Sequence, residues 1–212
     1  MKLNKIYFLL LAAAVAGFSS CTKEPLKNMT EEESRVYITN HDSTADFNSF
    51  KTFSIVDSVS VIDNNRLSNK ELTQFDAQLI SAVTQEMQSK GYVLVDRNSN
   101  PDVGINVSRM YNTYTGVVNY PDYWDYYGGY YDPYYWGYGG SSYYFPDYYG
   151  LYQVTEGSIS IDMLDLKNAS ASKKIEGIWT GLIRGSGIFN DASTADQVKQ
   201  LFRQSPYLKT NQ

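Results

Sequence analysis

Between positions 111 and 152 the chain carries 16 of its 20 tyrosines, together with Trp124, Trp136, seven glycines and three prolines. The same stretch holds four aspartates, no lysine or arginine, and only three aliphatic side chains, Val117, Val118 and Leu151. Without aliphatic periodicity such a segment cannot enclose a core of its own, and glycine and proline at this density rule out a regular helix through it. The core must come from the two flanking stretches, and the aromatic segment reads as a long Tyr/Gly-rich insert between two neighbouring strands. With 212 residues in all, the flanks support one well-buried domain plus appendages.

Upstream, Arg35 to Thr39 has strand character, a polar turn follows, and a second strand is predicted over Lys51 to Asp57. A helix is predicted from about Asn69 to Lys90. Ser68 and Glu71 form a capping-box pattern, Gly91 closes the other end, and Leu72, Phe75, Leu79, Ile80, Val83 and Met87 share one face. Tyr92 to Val95 is a short strand. Val103, Ile105 and Val107 alternate with Gly104, Asn106 and Ser108, which predicts a strand with one buried face. Downstream, Ile159, Ile161 and Met163 alternate with Ser160 and Asp162, and Leu164 and Leu166 then shift the phase as a bulge would. A turn over Lys167 to Ser172 leads into a strand from Lys174 to Ile183 around Trp179. A last helix starting near Ser193 lines up Ala195, Val198, Leu201 and Phe202 before Pro206. The pattern predicts a single α+β domain over residues 35–206, with a mainly antiparallel β-sheet, two helices packed on one face, and residues 207–212 as a C-terminal tail.

Residues 1–20 read as an address. Lys2 and Lys5 precede a 13-residue apolar run, Ile6 to Phe18, which is too short to cross a bilayer, a task that takes roughly 20 residues. Phe18-Ser19-Ser20-Cys21 resembles the bacterial lipobox. That resemblance implies a lipoprotein signal peptide, cleavage before Cys21, and fatty acylation, of which palmitate is typical, on the chain's one cysteine. Each acyl chain contributes about 0.8 kcal/mol per buried methylene, so two or three chains anchor durably without spanning the membrane. Thr22 instead of aspartate after the cysteine implies, by resemblance to sorting rules, the outer membrane, facing periplasm or cell surface. Residues 21–34 are polar and read as a lipidated tether. Loss of Lys2 and Lys5 on cleavage takes the formal charge from −5 to −7.

In order along the chain, Asp42, Asp46-Phe47, Phe50-Lys51-Thr52-Phe53, Gly91-Tyr92, Pro101-Asp102, Ser158-Ile159-Ser160-Ile161-Asp162, Gly177-Ile178-Trp179-Thr180-Gly181, Leu201-Phe202 and Pro206 form a recognisable series. It resembles the bacterial lipoproteins of the Bacteroidetes type grouped as domain of unknown function 4136. The resemblance implies an envelope lipoprotein with an α+β domain. It implies no established activity, so no catalytic residue is carried over.

The acidic balance makes nucleic acid a poor partner, and one cysteine with one histidine excludes a disulfide framework and a Cys/His zinc site. His41 lies in a polar turn with no Gly-x-Ser-x-Gly elbow elsewhere, and reads as a solvated loop residue. Among the carboxylates in or near adjacent strands, Glu156, Asp162, Asp165 and Glu176, the alternation turns Asp162 toward solvent. Glu31-Glu32-Glu33 lacks the spacing of a calcium loop, and the paired glycines lack the lysine and following helix of a phosphate loop. The sequence therefore predicts no catalytic residue, no metal, no cofactor and no enzyme.

The aromatic segment has three readings: a loosely packed cover, a surface for an envelope protein partner, or a platform for glycan or peptidoglycan. In the last, Trp124, Tyr126, Tyr127, Trp136 and Tyr138 are the candidate binding residues, with Asp122, Asp125 and Asp132 as hydroxyl acceptors. The expected role is a non-enzymatic, membrane-anchored binding or structural module using this aromatic loop, with carbohydrate binding as the alternative. Removing residues 117–149 is expected to leave the domain folded.

Overall fold

The computed structural model describes residues 29–63, 66–111, 133–144 and 157–210. One helical turn, α1 (Glu31–Ser34), closes the stretch read as a tether. There follow β1 (Val36–His41), β2 (Thr52–Ile55), β3 (Val59–Asp63), β4 (Arg66–Glu71), α2 (Gln74–Ser89), β5 (Val93–Leu94), β6 (Val103–Tyr111) and β7 (Ser142–Tyr144). The chain ends with β8 (Ser158–Asp165), the short α3 (Ala169–Ser172), β9 (Lys174–Arg184) and α4 (Thr194–Arg203).

All nine described strands join one sheet. Its centre is antiparallel: β8 lies between β6 and β9, with Val107 and Gly181 both opposite Ile161. β1 runs antiparallel along the far edge of β9. The other edge of β6 is shared by two strands in succession. β2 runs parallel to its first half, with Phe53 opposite Val103, and β3 parallel to its second half, with Ile62 opposite Met110. β5 lies parallel to β2, β7 parallel to β9, and β4 antiparallel to β3. The α+β class holds and the longest pairings are antiparallel, but the sheet is mixed and not strictly antiparallel. The cause is the crossover through α2, long enough to return the chain so that β6 travels in the same direction as β2 and β3.

Both long helices lie on one face, packed against each other and the sheet. Phe75, Leu79, Val83 and Met87 from α2 meet Val198, Leu201 and Phe202 from α4 over Val103, Ile105, Val107, Ile159, Ile161, Met163 and Trp179. The Trp179 indole donates to Ser205 Oγ at 2.9 Å. Residues 207–210, expected as tail, continue this packing: Leu208 is fully buried and the Thr210 amide donates to the Lys90 carbonyl.

Two expectations need correction. α2 starts at Gln74, not near Asn69, and its cap is Thr73, whose hydroxyl accepts from the Asp76 amide while Asp76 accepts from the Thr73 amide at 2.8 Å. Ser68–Glu71 and Thr73–Asp76 both satisfy the capping pattern, and the upstream pair is committed to β4, hydrogen-bonded to β3. Leu72 is consequently 60% exposed. The irregularity expected in β8 lies opposite, in β9. Met163 faces Trp179 and Leu164 faces Gly177, which makes Ile178 the extra residue.

Candidate functional site

The face of the sheet away from the helices is buried as well. There β6 presents Gly104, Asn106, Ser108 and Met110, β8 presents Ser160, Asp162 and Leu164, and β9 presents Thr180 and Leu182. Asp162 is fully buried, which corrects the solvated orientation expected from the alternation. Thr180 Oγ1 donates to its Oδ1 at 2.6 Å, and Ser160 Oγ donates to both carboxyl oxygens at 3.1 and 3.2 Å. Hydroxyls on the neighbouring strand and on its own strand replace water, so a carboxyl can sit on a closed face. Beside this polar band lies an apolar cluster of Ile62, Met110, Trp136, Leu164, Ile175 and Leu182.

Trp136 is brought there by residues 133–144. A 3-10 turn (Pro133–Trp136) is closed by the Gly137 and Tyr138 amides donating to the carbonyls of Tyr134 and Pro133. Gly137, at φ 82°, turns the chain in a left-handed conformation suited to glycine. The Trp136 indole is 5% exposed and passes over Gly104, where an added Cβ would stand 3.0 Å from it. Gly104, on a strand otherwise rich in larger side chains, thus makes room for the ring.

The same turn forms one wall of an open groove of about 420 Å³. Tyr134 and Tyr138 line it from that turn, Arg97, Asn98 and Asn100 from the β5–β6 loop, and Ser170 from α3. Tyr134 is 74% exposed, braced by Gly139. Tyr138 is half-buried, its hydroxyl donating to the Leu166 carbonyl at 2.8 Å. Tyr135, at the base, has Arg97 Cζ at 4.6 Å and Lys70 Nζ at 5.5 Å from its ring centroid, and its hydroxyl accepts from the Asp57 amide. Burial holds the Tyr135 phenol above its ordinary range, against the opposing pull of that amide bond. The Arg97 wall is a 3-10 turn capped by Asp96, which accepts from the Asn98 amide at 2.8 Å, and Asn100 is left-handed at φ 52°. Asp102 clamps it: its carboxylate accepts from the amides of Lys51 and Thr52 at 2.7 and 3.1 Å, tying the β5–β6 loop to β2.

Of the predicted site residues, Trp136 and Tyr138 are thus brought together, Trp136 as a core side chain and not a free stacking face. Trp124, Tyr126, Tyr127 and Cys21, like the signal segment, lie outside the described residues. Tyr134, Arg97, Asn98 and Asn100 were not selected from sequence. The turn residues around position 98 carried no visible connection to the aromatic segment.

Elsewhere, His41 is not a solvated loop residue. It ends β1, half-buried, with its ring 4.0 Å from that of Tyr207. Asp162 and Asp165 lie three residues apart on one strand and so project from opposite faces, which forbids a carboxylate pair between them. Asp165 accepts from the amide and side chain of Asn168. Arg109, also overlooked, is a buried cation on the helix side. Its Nε stands 2.7 Å from Asp76 Oδ1, and its Nη2 donates to Glu71 at 2.6 Å and Asp76 at 3.1 Å. The Asn69 side chain, and then Arg109, hold the Glu71 carboxyl below its usual range. Among the described residues no cluster of three or more His, Cys, Asp and Glu is gathered for a metal, and no helix is long and apolar enough to cross a membrane.

Residues 38–207 match the family model described as Domain of unknown function (DUF4136). A DUF4136 family protein from Bacteroides thetaiotaomicron, known from its crystal structure, is 32% identical, with a TM-score of 0.69 over 83% of this chain and 98% of that one. A PelC dodecamer from Paraburkholderia phytofirmans is 11% identical, covering 84% of this chain and 99% of its own, at a TM-score of 0.40. A PDZ domain protein from Parabacteroides distasonis is 14% identical, covering 85% of this chain and 41% of its own, at the same TM-score. No curated protein matches the sequence.

Proposed function

This chain belongs to the DUF4136 family, and from that premise we propose that it is a non-enzymatic envelope lipoprotein that holds a partner at its aromatic groove. Acyl chains on Cys21 anchor it in the outer membrane, facing periplasm or cell surface, and residues 22–30 carry the domain away from the lipid. The signal-like run and Phe18-Ser19-Ser20-Cys21 support the anchor.

One observation carries the binding role. A short turn drives Trp136 into the core while leaving its neighbour Tyr134 74% exposed beside an open groove. An exposed aromatic side chain held on a braced turn loses little entropy when a partner covers it. The opposite facing of Asp162 and Asp165, and the engagement of Asp165 with Asn168, support a role without hydrolysis.

Two measurements test this. Intact-mass analysis of the full-length product extracted from membranes is expected to find acyl chains on a chain beginning at Cys21, and Cys21→Ser is expected to release it. An unmodified thiol overturns the anchor. In-cell crosslinking through Tyr134 is expected to capture an envelope component that Arg97→Gln loses; capture unchanged by that substitution overturns the groove as binding site.

A further inference from the structure

The geometry points to a specific ligand class for the groove: a saccharide carrying a carboxylate, of about disaccharide size. This rests on the reading of the aromatic turn as a binding element and names what it takes. The volume, about 420 Å³, falls in the small-molecule range of roughly 300–1,000 Å³. Its described lining is polar and aromatic and contains no aspartate or glutamate, although the chain as a whole carries a net −5. Asp96, next to Arg97, is turned into its own cap, and Asp57 stands by the Tyr135 hydroxyl outside the lining.

Each component of such a ligand has a counterpart. Tyr134 offers a broad apolar ring for the carbon face of a sugar. Asn98, Asn100 and Ser170 in the lining supply donors and acceptors suited to hydroxyls. Arg97 lines the same groove and is exposed, with its Cζ 4.6 Å from the Tyr135 ring centroid. A guanidinium carries five N–H donors, so one shared with the Tyr135 hydroxyl leaves others to pair with a carboxylate. Lys70, with its Nζ 5.5 Å from the Tyr135 centroid, raises the positive potential of the region. A neutral sugar would leave the Arg97 charge unused, and a phosphorylated macromolecule would need more cations than these two.

The test is calorimetric titration of the full-length protein in detergent with cellobiouronic acid and with cellobiose, which differ by one carboxylate. The acid is expected to bind saturably and about tenfold more tightly, the effect of one charge-assisted pair. Arg97→Gln should erase that ratio, and Tyr134→Ala should weaken both sugars alike; both side chains are exposed, so the core is left intact. Equal binding of the two sugars, no saturable binding of either, or an unchanged ratio in Arg97→Gln overturns the proposal. Acylation of Cys21 and crosslinked capture at Tyr134 are read independently. Captured partner without sugar binding removes the saccharide and leaves the lipoprotein reading, while sugar binding without acylation does the reverse.

Discussion

The two faces of the sheet each bury a carboxyl completely, and they do it by different means. On the helix side Asp76 closes the α2 cap through Thr73 and faces Arg109 at 2.7 Å, so a charge is met by a charge. On the far side Asp162 takes hydroxyl donors from Thr180 and Ser160 within a band that also contains Asn106 and Ser108. The helix side is otherwise a continuous aliphatic and aromatic core, whereas the far side alternates polar band and apolar cluster, and the groove opens at its margin. An ion pair locks one helix to one strand. A hydroxyl-lined band tolerates small side chains and leaves space for Trp136 to enter from a distant segment.

The contrast breaks most visibly at Arg109. Arg109→Met keeps the length and the apolar stem but leaves Asp76 buried without its cation. Removing one member of a buried pair costs about 3–5 kcal/mol, so urea unfolding at neutral pH should show a loss of that order. A loss below about 1 kcal/mol would mean that the Thr73 cap alone satisfies Asp76. The second substitution tests the far side. Trp136→Ala should cost about 3 kcal/mol through the cavity left over Gly104, measured the same way. Removal of residues 117–149, expected to leave the domain folded, carries the same cost. The deletion takes Trp136 out of its cluster and β7 off the edge of β9.

These two residues also mark where sequence reasoning succeeds and fails. The alternation at Val103, Ile105 and Val107 and at Ile159, Ile161 and Met163 fixes the strands and their helix-facing sides, because aliphatics at period two have few other uses. The other sides were read as solvated because serine, asparagine, threonine and aspartate are commonly found in water. Cross-strand pairing of those same groups is a property of register, and register between β8 and β9 depends on a bulge at Ile178 that the composition does not reveal. Arg109 did leave a trace, since it continues the 103–105–107 phase and so places a guanidinium where an aliphatic belongs. The groove left none. Its lining comes from positions 97–101, 134–138 and 170, brought together by the packing of Trp136 over Gly104 and by the hydroxyl bonds of Tyr135 and Tyr138.

The finest test of the comparison concerns the hydroxyls. Thr180→Val preserves shape and removes the donor that stands 2.6 Å from Asp162. If hydroxyls do on the far side what Arg109 does on the near side, the substitution should cost about 1–2 kcal/mol, the range for a hydrogen bond to a buried carboxyl. The cost of burying an extra methyl is small and of opposite sign, so stability alone leaves the source open. The same substitution in an Asp162→Ala background separates the two: the penalty should fall to near zero, giving a coupling of about 1 kcal/mol between positions 162 and 180. A penalty that persists without Asp162 would place the Thr180 hydroxyl's contribution elsewhere in the band, and the parallel between the two buried carboxyls would end there.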